Sequence, residues 1–230
     1  MAKKNIKKVT VKSKAAGKKR GYFITLEGLE GSGKSSVINF IKGYLERRGA
    51  RVKVFREPGS TYIGEKIREI LLDRRNKDLS VHTELLLYLA ARTQLIEEKL
   101  QTAYLECDFI VCDRFFDSTL AYQGYALKVD ITPKAVKMFS LGVMPDLTLV
   151  LDVAIEQGLG RIKVKDRIES RPLSFHTRLR QGYLKLSREY PKRIKVIDAR
   201  GSLEDIYRRV EKVLADNLPQ KNFKKRARNG

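Results

Sequence analysis

Short apolar runs alternate with segments of helical spacing along most of the chain. The apolar runs predict strands, at residues 22–26, 51–55, 109–112, 147–151 and 195–198. Apolar residues that recur every three or four positions predict helices, at residues 36–45, 62–74, 82–105, about 133–141 and 202–217. Because strands alternate with helices and several strands are apolar on both faces, the pattern predicts an α/β fold. We expect the sheet to be parallel and to be covered by helices on both faces.

Two of the predicted helices have apolar faces that identify candidate core residues. In the helix at 62–74 the face consists of Ile63, Ile67, Ile70 and Leu71. In the longer helix at 82–105 it consists of Leu85, Leu86, Leu89, Leu95 and Leu100. We expect these side chains to be buried.

Length and charge divide the chain into a folded body and two basic ends. With 230 residues, 42% of them hydrophobic, the chain can bury one sizeable core. Residues 1–20 carry nine lysines and arginines and residues 219–230 carry five, and neither segment has an acid. The net charge of +21 therefore leaves +7 on the rest. We predict a folded domain at 21–217, a disordered basic arm at 1–20 and a disordered basic tail at 218–230.

The two basic ends have two interpretations. They could attract RNA, DNA or other anionic surfaces without sequence specificity. Alternatively, they could keep the protein soluble and have no dedicated partner. The composition does not distinguish between these interpretations.

The apolar runs and the cysteines predict a cellular location. No apolar run approaches the length of a membrane span, and none follows the basic N-terminal residues as in a secretory signal. Cys107 and Cys112 have no neighbours that would complete a metal site, so we expect reduced thiols that serve in packing. We therefore expect a cytoplasmic protein without membrane contact.

A phosphate-binding motif lies between the first predicted strand and the first predicted helix. Residues 28–35, G-L-E-G-S-G-K-S, match the pattern G-x-x-x-x-G-K-[ST]. Glycines let successive backbone N–H groups point at an anion, and the helix N-terminus adds partial positive charge. Lys34 is expected to reach the β- and γ-phosphates of a nucleotide, and the Ser35 hydroxyl to bind Mg²⁺. The residues expected to hold the triphosphate are Gly28, Leu29, Glu30, Gly31, Ser32, Gly33, Lys34, Ser35 and Ser36.

This motif alone does not separate a kinase from an ATPase or a GTPase. Charged residues at the ends of the predicted strands add information, because ligands of parallel sheets bind beyond the carboxyl ends of the strands. Glu30, Glu57, Asp113 and Arg114 all fall at such ends. Arg114 can bind a phosphate with two parallel hydrogen bonds.

Four motifs in a fixed order make the chain similar to a known family. They are L-E-G-L-E-G-S-G-K-S-S at 26–36, R-E-P-G-S-T at 56–61 with G-E-K-I-R at 64–68, D-R-F at 113–115 with D-S-T-L-A-Y-Q-G at 117–124, and D-R-I-E at 166–169. From about residue 21 to residue 217 the chain resembles thymidylate kinase. The resemblance implies a three-layer P-loop nucleoside monophosphate kinase fold. It also implies transfer of the γ-phosphoryl group of ATP to dTMP, giving dTDP and ADP, with Mg²⁺ and in a homodimer.

The resemblance assigns the acceptor site to residues on several elements. It implies that Arg114 binds the α-phosphate of dTMP and that Asp113 lies near Mg²⁺ and this phosphate. It implies that Tyr88 stacks on thymine while Arg92 forms a hydrogen bond with the base. It gives the remaining acceptor-site positions to Glu30 (at the sugar 3′-hydroxyl), Glu57, Arg68, Thr119 and Gln123.

The basic segment at about 158–172 resembles the family's mobile lid. Some members of the family place an arginine within the phosphate loop, but here that position is Gly31. The resemblance therefore implies the bacterial type, in which the lid supplies the catalytic cation, with Arg161 and Arg167 as the candidates. Each assignment has a structural alternative: core packing for Tyr88, a strand-end ion pair for Asp113 and Arg114, and a solvated charge run for the lid.

Two other functions are left open by the residues themselves. One is a related kinase that acts on another nucleotide or on a nucleoside. The other is a nucleic-acid-associated P-loop ATPase that uses the basic ends as its binding surface, although these ends lie outside the body that carries the motifs.

Overall fold

The computed structural model describes residues 20–219, so the predicted basic ends lie outside it except for Arg20, Leu218 and Pro219. The strands are β1 (Tyr22–Gly28), β2 (Val52–Arg56), β3 (Phe109–Asp113), β4 (Leu147–Asp152) and β5 (Ile194–Asp198). They form one five-stranded parallel sheet in the order β2-β3-β1-β4-β5. The predicted parallel α/β fold is confirmed.

Helices cover both faces of this sheet. They are α1 (Lys34–Glu46), α2 (Tyr62–Leu72), α3 (Val81–Leu95), α4 (Gln101–Glu106), α5 (Phe116–Thr119), α6 (Thr132–Phe139), α7 (Ile155–Gly160), α8 (Leu173–Glu189) and α9 (Leu203–Asn217). A π-helical turn, Ile96–Leu100, joins α3 to α4, and a second one, Leu120–Ala126, extends α5. Helices α1 and α9 share one apolar cluster with the sheet, while α3, α4 and α6 share another.

Three helical segments lie outside the predicted elements: α5 with its π-helical extension, α7, and the 17-residue α8. Helix α8 buries Phe175, Leu179, Tyr183 and Leu186 against β4, β5 and the extension of α5. The spacing of these four residues is helical, but three charged residues (Arg178, Arg180 and Lys185) lie between them. The apolar face of α8 is therefore narrow in the sequence and is recognisable mainly after folding.

Two predicted apolar faces are partly wrong. Helix α2 buries Ile67 and Leu71, but Ile63 and Ile70 are 46% and 44% exposed. In α3, Leu85 and Leu89 are buried while Leu86 is 61% exposed. The core needs only one narrow stripe of each helix, so the remaining apolar residues lie on the surface of the single chain.

The sheet order places the phosphate loop at the centre of the molecule. Strand β1 pairs with β3 on one side and with β4 on the other, so the loop that follows β1 lies where the strand order reverses. Ligands of open α/β sheets bind at this switch point, beyond the carboxyl ends of the strands. Among residues 20–219, no helix is both long and apolar enough to cross a membrane.

A buried ion pair fixes α5 to the sheet. The fully buried carboxylate of Asp117 accepts hydrogen bonds from both terminal nitrogens of Arg193, at 2.5 and 2.8 Å. It also accepts one from Thr148 Oγ1 at 3.1 Å, and this hydroxyl lies 2.8 Å from that of Thr25 in β1. Helix α5 is thereby joined to β4, to β1 and to the residue that precedes β5.

Asp117→Asn should strongly destabilise the fold, because it leaves the guanidinium of Arg193 buried without a charged partner. We expect the free energy of unfolding in urea to fall by about 3 kcal/mol or more. The control is Glu106→Gln, which breaks an exposed pair with Lys53 and should cost less than about 1 kcal/mol. Equal losses in the two variants would contradict this account.

Candidate active site

The phosphate loop has the backbone shape that the motif predicts. Gly28, Gly31 and Gly33 have φ angles of 135°, 70° and 90°, which side chains other than glycine rarely adopt. Helix α1 begins at Lys34, and no side chain caps its N-terminus. Its first N–H groups and its partial positive charge are therefore left for an anion.

Lys34 lies inside the loop rather than in solvent. Its ammonium group donates to the carbonyl oxygen of Leu29 at 2.9 Å. Burial lowers the pKa of Lys34 to about 8, assisted by the charge of Arg114 and opposed by Asp113, Glu30 and Glu27. A triphosphate bound here would place negative charge beside this ammonium group and stabilise its protonated form.

The backbone of helix α7 lies in close contact with the backbone of the loop. A Cβ atom at Gly31 would lie 2.0 Å from the carbonyl oxygen of Gly158, and one at Gly158 would lie 2.7 Å from that of Glu30. No side chain fits at either position. Arg161, at the end of α7, donates to the carbonyl oxygen of Gly31 at 3.0 Å. The first half of the predicted lid therefore brings one arginine to the phosphate loop.

Arg114 is held at the centre of a polar network. It follows β3 with φ at 67°, and its guanidinium donates to Glu30 at 3.0 Å, Ser118 at 3.1 Å and the Tyr183 hydroxyl at 3.0 Å. Burial opposes ionisation of Glu30, but the charges of Arg114 and Lys34 keep its pKa below the ordinary value. The cation lies beside the loop in a fixed orientation.

Glu27 is a member of this network that the sequence prediction missed. It is fully buried at the end of β1 and accepts hydrogen bonds from the Phe115 amide at 2.8 Å, the Tyr183 hydroxyl at 3.0 Å and Ser118. Burial, together with the charge of Asp117, raises the pKa of Glu27 to about 7. In the sequence, this role of Glu27 is indicated by a lone carboxylate within an otherwise apolar strand.

Glu57 and Arg92, two of the predicted acceptor-site residues, form a buried ion pair. Arg92 Nε donates to Glu57 at 3.1 Å, and Nη2 donates to Glu57 and, at 2.7 Å, to the Thr119 hydroxyl. Arg92 is fully buried, and its Nη1 has no hydrogen-bond partner within residues 20–219. One donor of Arg92 thus remains for a ligand.

Both sets of predicted residues meet in one cleft of about 380 Å³. Its lining includes all eight predicted acceptor-site residues: Glu30, Glu57, Arg68, Tyr88, Arg92, Arg114, Thr119 and Gln123. It also includes Gly31, Gly33, Lys34, Ser35, Ser36 and Asp113 from the predicted triphosphate and metal sites. Leu29 and Ser32 are buried behind this surface, and Gly28 ends β1.

Arg167, the second lid candidate, does not line this cleft. It is buried, with Nε donating to the carbonyl oxygen of Leu71 at 2.7 Å and Nη2 to Glu84 at 2.6 Å. Arg161 does not line the cleft either; it is exposed and contacts the phosphate loop, whereas Arg167 lies against α2 and α3.

Asp113 and Ser35 fit the predicted Mg²⁺ site. Asp113 Oδ1 is buried and has no hydrogen-bond partner in the described part of the chain, and both residues line the cleft. Within residues 20–219 there is no cluster of three or more His, Cys, Asp or Glu residues suited to a metal. Mg²⁺ in phosphoryl-transfer enzymes is commonly held by one or two side chains together with substrate phosphates and water.

The glycine-rich phosphate loop lies at the switch point and shares one cleft with the predicted acceptor-site residues, among them the fully buried Arg92. This combination defines a P-loop nucleoside monophosphate kinase. The family model of thymidylate kinase matches residues 26–210. The chain belongs to the thymidylate kinase family, as the motifs predicted.

Relatives along nearly the whole chain agree with this assignment. The thymidylate kinase of Thermoanaerobacter sp. (strain X514) is 40% identical over 203 residues, which are 86% of this chain and 100% of that protein. The thymidylate kinase of Enterococcus faecalis is 43% identical over 212 residues, covering 89% and 100%. The crystal structure of thymidylate kinase from Ehrlichia chaffeensis has a TM-score of 0.68 at 29% identity, covering 85% and 99%.

Triphosphate binding should take up a proton at alkaline pH. A bound triphosphate favours the charged form of Lys34, whose pKa in the free protein is about 8. We expect uptake of about half a proton or more at a pH slightly above 8, and affinity for ATP that falls as the pH rises further. Calorimetry in two buffers with different ionisation heats measures this uptake, and Lys34→Met should abolish it. Equal uptake in the variant would assign the proton to another group.

Proposed function

We propose that this protein transfers the γ-phosphoryl group of ATP to dTMP, giving dTDP and ADP. The observation that carries the proposal is the single cleft that holds both a phosphate loop and Arg114. Phosphoryl transfer requires little covalent chemistry from the protein, which must position two phosphorylated substrates and neutralise the charge between them. The cleft has cationic groups at both ends of that transfer.

The donor half consists of the loop and the residues around it. The loop amides and Lys34 bind the β- and γ-phosphates of ATP, and Arg161 lies close enough to the loop to stabilise charge on the transferred group. Ser35 and Asp113 would hold Mg²⁺, which neutralises phosphate charge when bound. Arg167 acts on the position of the lid rather than on the phosphates, since its guanidinium is committed to Leu71 and Glu84.

The acceptor half recognises dTMP at three points. Arg114 binds the α-phosphate with a guanidinium that Tyr183 and Ser118 already orient. Glu30 Oε2 is buried and has no hydrogen-bond partner among residues 20–219. This oxygen accepts a hydrogen bond from the sugar hydroxyl. Tyr88 stacks on the base, while the free Nη1 of Arg92 donates to it.

We also propose that the protein acts as a homodimer. Exposed apolar side chains lie on three helices: Ile63 and Ile70 on α2, Leu86 on α3, and Met138 and Phe139 on α6. A second copy of the chain would cover these side chains. The cytoplasmic location stays a prediction, supported by the two buried free cysteines. Non-specific nucleic-acid contact by the basic ends rests on their sequence charge alone, because residues 1–19 and 220–230 lie outside the described part.

An acceptor panel tests the function. A coupled assay of ADP release with dTMP, dUMP, UMP, CMP, AMP and thymidine should give the highest kcat/KM with dTMP. A clear preference for another acceptor would replace the proposal by a kinase of different specificity. ATP hydrolysis that needs a polynucleotide and no acceptor would favour the nucleic-acid-associated ATPase instead.

Arg114→Ala should damage acceptor use more than ATP binding. Loss of charge-assisted hydrogen bonds to a phosphate should lower kcat/KM for dTMP by about a hundredfold or more. Arg114→Lys should restore part of the activity, because it keeps the charge but not the paired N–H groups. Arg48→Ala, at an exposed position two residues after the end of α1, is the control. Unchanged dTMP kinetics in Arg114→Ala would refute the assigned role.

A further inference from the structure

Glu84 of α3 is a fully buried carboxylate that lies outside the assigned site residues. It accepts hydrogen bonds from Arg167 and Arg171, each at 2.6 Å, and from Gln123 Nε2 at 2.9 Å. Such a charge is retained in a protein interior only when it is paired, since burying it alone is costly. Arg167 and Arg171 belong to the predicted lid segment and Gln123 to the extension of α5, so Glu84 is the point at which these two segments meet.

The position of Glu84 connects this cluster with the acceptor base site. Glu84, Tyr88 and Arg92 are each four residues apart in α3 and therefore share one face of the helix. Tyr88 and Arg92 line the cleft, and so does Gln123, the third partner of Glu84. The carboxylate thus lies directly behind the residues that face the base.

Glu84 determines which way the Gln123 amide is turned. A carboxylate flanked by two guanidinium groups offers only acceptor oxygens, so the NH₂ group of the amide must face it. The carbonyl oxygen of Gln123 is on the other side of the planar amide, and no donor from residues 20–219 forms a hydrogen bond with it. An acceptor is therefore presented to whatever occupies the cleft.

This arrangement matches only some pyrimidines. Thymine and uracil have an N3–H donor between two carbonyl oxygens, whereas cytosine has an acceptor at N3 and an amino group at position 4. The Gln123 carbonyl oxygen accepts from N3–H, and the free Nη1 of Arg92 donates to a carbonyl oxygen. Cytosine would place acceptor against acceptor and donor against donor, leaving buried polar groups unpaired.

We propose that Glu84 is a positioning residue that sets the base specificity of the acceptor site by fixing the Gln123 amide. The inference rests on the proposed dTMP kinase activity. It extends that activity to a residue which does not touch the substrate. Because Arg167 and Arg171 hold the carboxylate from the other side, the second half of the lid segment contributes to the orientation of the amide.

The test is Glu84→Gln, assayed with dTMP, dUMP and dCMP. The amide at position 84 can also donate, so Gln123 is free to turn over. We expect kcat/KM for dTMP and dUMP to fall alike, by about tenfold to a hundredfold, with KM for ATP unchanged. The preference for dTMP over dCMP should fall by a similar factor. A merely structural role would lower all three acceptors equally and leave this preference unchanged, which would overturn the proposal.

A double-mutant cycle shows whether Glu84 acts through Gln123. In a Gln123→Leu background, Glu84→Gln should change the dTMP/dCMP preference no further. An additional, independent loss there would contradict the proposal. If Glu84→Gln does not fold, Glu84→Asp keeps the charge but withdraws the carboxylate, and the same loss of preference is expected. Glu98→Gln, an exposed position further along the same helical segment, is the control.

The wild-type assay separates the two proposals. Absence of dTMP turnover in the wild type would remove the function itself. Normal wild-type turnover with an unchanged dTMP/dCMP preference in the Glu84 variants would remove only the role of Glu84.

Discussion

The structure depends on charge buried at the seam between β1 and β3. Leu26 and Asp113 are opposite each other in the register, and the Arg114 amide donates to the Leu26 carbonyl oxygen at 2.9 Å. This pairing places the side chain of Arg114 near two carboxylates. Glu27 precedes the phosphate loop, and Glu30 lies within it. Because buried charges require partners, neither the loop nor the strand end can move independently. The phosphate loop and the end of β3 are therefore one electrostatic unit.

A second constraint is the close steric contact between the phosphate loop and the segment that carries Arg161. Any side chain at Gly31 would collide with the backbone of Gly158, so the loop itself has no room for an arginine. The same close backbone contact brings α7 to the loop, and Arg161 follows directly after α7. Because Gly31 has no side chain, α7 packs closely against the loop and Arg161 reaches the Gly31 carbonyl oxygen.

The sequence predicts the features that depend on neighbouring residues and misses those that depend on distant ones. The five strands and the loop at 28–35 are correct because apolar runs and glycine spacing are local properties. Glu30, Glu57 and Arg114 line one cleft because the carboxyl ends of parallel strands share an edge of the sheet. By contrast, Glu27 binds Tyr183 and Arg167 binds Glu84, over separations of 156 and 83 residues. No spacing in the sequence indicates which buried charges will pair, and the same limitation affects the exposed Ile63, Ile70 and Leu86.

The separate positions of the two lid arginines suggest how the segment is built. Its first half is attached to the phosphate loop through Arg161 and the backbone contact between Gly31 and Gly158. Its second half is attached to α3 through Arg167, which is buried and hydrogen-bonded on two sides. A segment fixed at one end to the phosphate loop and at the other to α3 cannot shift without affecting both. The phosphate loop and the buried carboxylate of Glu84 in α3 are therefore linked by the covalent chain between Arg161 and Arg167 as well as by the hydrogen bonds of these two arginines.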